Sequence, residues 1–213
     1  MSKVLIATDW LAACAGCHMS LLDMDERIVE LLNHVTFTSS PVTDLKHPPE
    51  SGVAVGVLTG AISNTHNIEV ARRMRERCTY LVAVGDCATF GGIVAARNLV
   101  GTQDALKRAY LETESTVDGL IPDSPELGKP LAAVTGIGEV VKVDIFLPGC
   151  PPRPDDFLYV FSEVLAGRLP VVLPSQHFRY DSTEKGSRGQ GFKGSSKNTN
   201  RFSPRTLDPL NPF

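Results

Sequence analysis

A chain of 213 residues with 42% hydrophobic and 21% charged content is long enough to bury one substantial core, and its balance is that of an ordinary globular protein. A formal net charge of −3 lacks the basic excess of a general nucleic-acid binder, and no apolar run approaches the ~20 residues of a membrane span. The opening MSKVLIATDWLAAC carries neither a clean small-residue cleavage site nor a twin-arginine pair, so the expected location is the cytoplasm. In a reducing compartment, five cysteines point to metal or redox chemistry rather than disulfides.

VLIATD at 4–9 predicts a first strand, followed by a cysteine-bearing loop and a helix over 18–33. Leu21, Met24, Ile28, Leu31 and Leu32 recur there at helical spacing, opposite Asp23, Glu26, Arg27 and Glu30. A polar connection, SSPVTDLKHPPES, leads to GVAVGVLTG at 52–60, which reads as a buried strand. NIEVARRMRERC at 67–78 suits a helix capped by Asn67, with Arg72, Arg73, Arg75 and Arg77 as a solvated face. YLVAVGD at 80–86 is continuously apolar, as expected of a strand covered on both faces. IVAARNLV and DALKRAYLE predict helices, and 115–140 reads as an irregular insertion. VVKVDIFLP at 140–148 predicts the last strand. A final helix over 154–166 has Pro154 at its first turn, Asp155 and Asp156 at its positive end and Gly167 beyond it.

Strands alternating with helices at this rhythm predict a doubly wound parallel α/β sheet over 1–181. Residues 182–213 are compositionally separate: Lys185, Arg188, Lys193, Lys197, Arg201 and Arg205 against Glu184 and Asp208 give a net of +4, leaving −7 on the first 181 residues. With few large apolar residues this segment cannot bury a core alone, and it is expected to be an extended C-terminal arm held against a partner subunit.

Cys14 and Cys17 form C-A-G-C after the first strand, Cys87 lies in GDCATFGG after YLVAVGD, and Cys150 lies in LPGCPP after VDIFLP. In an open parallel sheet the loops leaving the carboxyl ends of the strands share one rim, where ligands bind. Four thiolates brought to that rim can complete one metal site. Gly149 lets the backbone turn at the strand end, while Pro151 and Pro152 fix the exit path and donate no competing hydrogen bond. Gly16, Gly85, Gly91 and Gly92 permit close backbone approach to a bulky inorganic group, and cysteine followed by proline is a known iron–sulfur context. One local pair plus two isolated cysteines differs from the paired knuckles of structural zinc sites, which favours a 4Fe–4S cluster over zinc. Cys78, between a helix and a strand, is expected simply to be packed. His18 is read as a surface or helix-start residue ahead of an outer donor to the cluster, and Trp10 and Phe90 as groups excluding water. TGIGE at 135–139 lacks the strand–glycine–helix order of a dinucleotide fingerprint. No phosphate cradle supports a flavin-binding domain, which architecture alone would suggest.

DWLAACAGCHMSLLDMDE, VAVGDCATFGG and IFLPGCPPRPDD together resemble the small subunit of nickel–iron hydrogenases, most closely the cytoplasmic NAD-reducing type. The resemblance spans about residues 3–170 and holds all four ligand positions in order. It implies a flavodoxin-like domain with one proximal 4Fe–4S cluster on Cys14, Cys17, Cys87 and Cys150. It further implies an oxidoreductase subunit without catalytic residues of its own. The nickel–iron centre would lie in a large subunit, with flavin, NAD and further clusters in diaphorase subunits. No cysteine follows Cys150, so this chain can ligate one cluster rather than three. Two alternatives stay open: the related cluster subunit of complex I, which usually carries adjacent cysteines where this chain has C-A-G-C, and a non-redox zinc-binding interaction module.

Overall fold

A computed structural model describes residues 3–168. The chain runs β1 (Val4–Trp10), α1 (Gly16–Leu22), α2 (Arg27–His34), β2 (Val35–Ser39), β3 (Val53–Thr59), β4 (Ile62–Asn64), α3 (Thr65–Arg77), β5 (Cys78–Val84) and α4 (Asp86–Phe90). A 3-10 segment (Gly92–Leu99), α5 (Thr102–Tyr110), β6 (Pro130–Thr135), a short 3-10 turn (Ile137–Glu139), β7 (Ile145–Leu147) and α6 (Pro154–Leu165) complete it. Five strands form one parallel sheet in the order β2-β1-β3-β5-β7. This is the flavodoxin-like doubly wound order, with its switch point between β1 and β3. β4 and β6 form a separate antiparallel pair. The basic segment 182–213, and the boundary expected at 181, lie outside the described residues.

Alternation along the strands explains why both faces are covered. Val82 and Val84 of β5 join Ile6, Val55 and Val57 against α1, α2 and α6, where Met24, Phe157 and Phe161 are buried. Leu81 and Ala83 face the other way, with Ala7 and Leu58, against Val70, Ala71 and Met74 of α3. Each fully buried large side chain contributes roughly 1.5–3 kcal/mol relative to exposure, so this two-sided burial is what holds the sheet against its helices.

The single helix expected over 18–33 is two. α1 closes where Asp23 N donates to Met19 O, and Asp25 turns through φ 53°, a conformation that Asp tolerates better than most residues. The corner drops Met24 into the core and leaves Leu32, expected in the apolar stripe, 40% exposed. β2 follows His34 with no punctuating glycine or proline, so VTFTS carries no local signal that a strand begins there. The helix cap is Asn64, whose side chain accepts from Asn67 N at 2.9 Å; Asn67 lies inside α3. IVAARNLV is 3-10 rather than α, and 115–140 contains β6.

The last strand is shorter than 140–148, spanning Ile145–Leu147, and Asp144 just before it bonds to β5 through its amide, which donates to Leu81 O at 2.9 Å, and through its side chain. Its carboxylate accepts from Leu81 N at 2.8 Å and from the Arg75 guanidinium at 2.5 Å. Arg75 also donates to the carbonyls of Cys78, Thr79 and Lys142, and Arg77 to that of Pro48. Of the four arginines expected on a solvated face, Arg75 therefore locks the starts of β5 and β7 together and Arg77 ties α3 to the loop between β2 and β3. Burial alone raises the Asp144 carboxyl, but the Leu81 amide, Arg75 and Lys142 outweigh it and hold the group below its ordinary value. A carboxyl depressed in the folded state adds stability above its unfolded pKa, and that stability fades as pH falls through the folded value. The urea midpoint, followed by circular dichroism, is therefore expected to fall between about pH 5 and pH 3. Asp144→Asn should start lower at neutral pH and fall less.

Candidate metal centre

Three loops leave the carboxyl ends of β1, β5 and β7, and backbone hydrogen bonds set the course of each. After β1, Leu11 N donates to Thr59 O, and Ala12 exchanges both its bonds with Ala61 at 3.1 and 2.9 Å. Gly60 allows that crossing, since a Cβ there would lie 2.7 Å from Ala12 O. The chain then passes Cys14, turns at Ala15 (φ 66°) and enters α1, which carries Cys17 in its first turn. After β5, Gly85 N donates to Leu147 O at 2.7 Å, extending the β5–β7 ladder, and Cys87 follows in the short α4. After β7 come Gly149 and Cys150, whose bond to Pro151 is cis. Pro152 O accepts from Ser20 Oγ of α1 at 2.5 Å. The first and third loops are thus joined across 132 positions of sequence.

The thiols on these loops act on one another electrostatically. Burial, then the neighbouring Cys87, Cys14 and Cys150 and the Asp86 carboxylate, push the Cys17 thiol up to about 12. Burial first, then Asp86, Cys87 and Cys14, also raise Cys150. Thiolates crowded in this way repel one another, and a bound cation is what lets them ionise together. Space is provided beside the sulfurs as well. A Cβ on Gly85 would collide with Cys17 Sγ, and one on Gly92 would sit 2.8 Å from Cys87 Sγ. A soft all-thiol donor set, glycine-lined, suits an iron–sulfur group. Among the described residues, no three Cys, His, Asp or Glu side chains form a group that could hold a single metal ion. Cys14 and Cys150 are exposed and Cys17 and Cys87 half-buried, whereas Cys78 is buried apart from them beneath Gly56, in the packed role expected of it.

His18 begins α1 as expected but is not on the surface: it is 2% exposed. Its Nδ1 lies 3.3 Å from Thr59 Oγ1, its ring meets Trp10 edge to face at 5.5 Å, and burial lowers the imidazole to about 4. Trp10 and Phe90, expected to exclude water, are 38% and 57% exposed, so within this chain neither seals the rim. Sequence reasoning misses Asp86 and Ser20, which join the loops. The available signal is the acid directly before Cys87 in GDC.

A flavodoxin-like sheet with cysteine loops at its carboxyl rim is a scaffold suited to holding an inorganic redox group. The chain belongs to the NADH ubiquinone oxidoreductase, 20 Kd subunit family, which matches residues 14–164. It is 41% identical over 182 residues to the NAD-reducing hydrogenase HoxS subunit delta of Cupriavidus necator, covering 84% of this chain and 86% of that protein. It is 37% identical to one subunit of the F420-non-reducing hydrogenase of Methanothermobacter marburgensis, covering 81% of this chain and 56% of that longer relative. The solved NAD+-reducing [NiFe]-hydrogenase in its H2-reduced state contains a chain with a TM-score of 0.79 and 39% identity, matched over 84% of this chain and all of that one. The [NiFeSe]-hydrogenase of Desulfomicrobium baculatum, at 20% identity and TM-score 0.51, shares the fold alone. The resemblance to nickel–iron hydrogenase small subunits is thereby borne out. Among the described residues no helix is long and apolar enough to cross a membrane.

Gly85→Ala places a methyl group against Cys17 Sγ at a backbone φ of 88°. It is expected to lower iron and sulfide per purified chain well below wild type. Gly167→Ala, also at positive φ but with open space around it, is the control and should not. Equal metal content in both variants would mean that Cys17 has room to move aside.

Proposed function

We propose that this chain is the electron-transfer small subunit of a cytoplasmic, NAD-reducing nickel–iron hydrogenase, and that Cys14, Cys17, Cys87 and Cys150 hold one proximal 4Fe–4S cluster. What supports the reading is that Cys14, Cys17, Cys87 and Cys150 lie on the segments that follow β1, β5 and β7 at one edge of the sheet, with a Cβ on Gly85 or Gly92 excluded by Cys17 or Cys87 Sγ. When bound, the cluster supplies one-electron storage and transfer at a potential set by its surroundings. The chain's own residues do the holding. Four sulfurs bind, Gly85 and Gly92 leave the space, and Ser20 fixes the Pro152 exit relative to α1. No nucleophile or acid–base pair is needed on this chain. H2 is split or formed at the nickel–iron centre of the large subunit, and diaphorase subunits with flavin pass the electrons to NAD.

The tagged chain, pulled down anaerobically from its host, is expected to bring nickel at about one per chain with iron and sulfide in excess, as one cluster on four cysteines and its neighbours require. Cys87→Ser should lose one cluster's iron and sulfide and abolish H2-driven NAD reduction. Zinc without sulfide would overturn the redox reading, and near-wild-type electron flow in a cluster-depleted Cys87→Ser complex would overturn the ligand assignment. Iron and sulfide without nickel would move the chain to a complex I-like assembly.

A further inference from the structure

The β5 and β7 loops are joined by a device unlike the others. Asp86 N donates to Gly149 O at 2.9 Å, and Asp86 Oδ1 accepts from Gly149 N at 2.7 Å. One residue thus engages both backbone groups of Gly149. Each partner sits immediately before a cysteine, Cys87 or Cys150, so this reciprocal pair holds the backbone beside both of them. The glycine cannot be exchanged to tighten the loop another way. Gly149 turns at φ 137°, and a Cβ there would lie 2.6 Å from Pro152 Cα. Beyond Gly85 N to Leu147 O the two segments are joined through Asp86, whose amide and side chain both engage Gly149.

Hydrogen bonding does not require an acid here, because an asparagine oxygen would accept from Gly149 N as well. The carboxylate adds charge. Asp86 lies within electrostatic reach of both Cys17 and Cys150, and a fixed negative charge beside a cluster disfavours the more negative, reduced form.

We propose that Asp86 is a positioning residue for the cluster with two separable effects: its hydrogen bond sets the Cys87–Cys150 spacing, and its charge lowers the cluster's reduction potential. The proposal rests on the ligand assignment above. In partner-bound complexes purified anaerobically, Asp86→Ala is expected to lose iron to a chelator about 10-fold or more faster than wild type, the range for removing a group that orients a ligand. Asp86→Asn keeps the acceptor and should retain iron as wild type does. Its midpoint potential, read by electron paramagnetic resonance on the signal that Cys87→Ser removes, should move upward. Wild-type retention in Asp86→Ala overturns the positioning effect. Rapid iron loss from a folded Asp86→Asn overturns it too, and an unchanged midpoint in Asp86→Asn overturns the charge effect. Wild-type complex without iron and sulfide on this chain would instead sink the ligand assignment, a result distinguishable from all of these.

Discussion

Bringing four sulfur atoms into one another's electrostatic reach is unfavourable, since each loses water and each thiolate repels the rest. The protein meets that cost with backbone geometry remote from the sulfurs. Parallel strands deliver three loops to one rim, the Ala12–Ala61 exchange anchors the first loop, and Asp86–Gly149 with Ser20–Pro152 join the third to its neighbours. Remove those ties and the thiols have every reason to drift apart. The chemistry of the rim is a consequence of hydrogen bonds in which no sulfur takes part.

The two ends of the sheet carry different kinds of polar linkage. At the amino end Arg75 gathers Asp144 and the carbonyls of Cys78, Thr79 and Lys142 into one charged knot, which fastens β5 to β7. At the carboxyl end amide and hydroxyl bonds join the loops together with the Asp86 carboxylate, and Arg153, just beyond Cys150, is held by Asp156 of α6.

Much of this is legible in the sequence. Continuous apolar strands, and cysteines directly after three of them, are local signals, and a parallel sheet converts local placement into convergence without further information. Elements whose signals are not local stay hidden. β2 abuts a helix with no breaker between them, β6 lies in a stretch scattered with glycine and proline, and the α1–α2 corner falls within an unbroken helical stripe. The roles of Arg75, Ser20 and Asp86 depend on partners 69, 132 and 63 positions away, and no periodicity records such pairings. The burial of His18 escapes for the same reason, since the Thr59 and Trp10 that enclose it come from two different strands.

The two core clusters flank the sheet, and of the four rim cysteines only Cys17 packs against either of them. A zinc finger has no core until its metal arrives; here two apolar layers built from strand and helix side chains flank the sheet. The domain is therefore a socket rather than a clasp. Two of its sulfurs, Cys14 and Cys150, are open to the outside, so an inorganic group held there would meet its surroundings on that side.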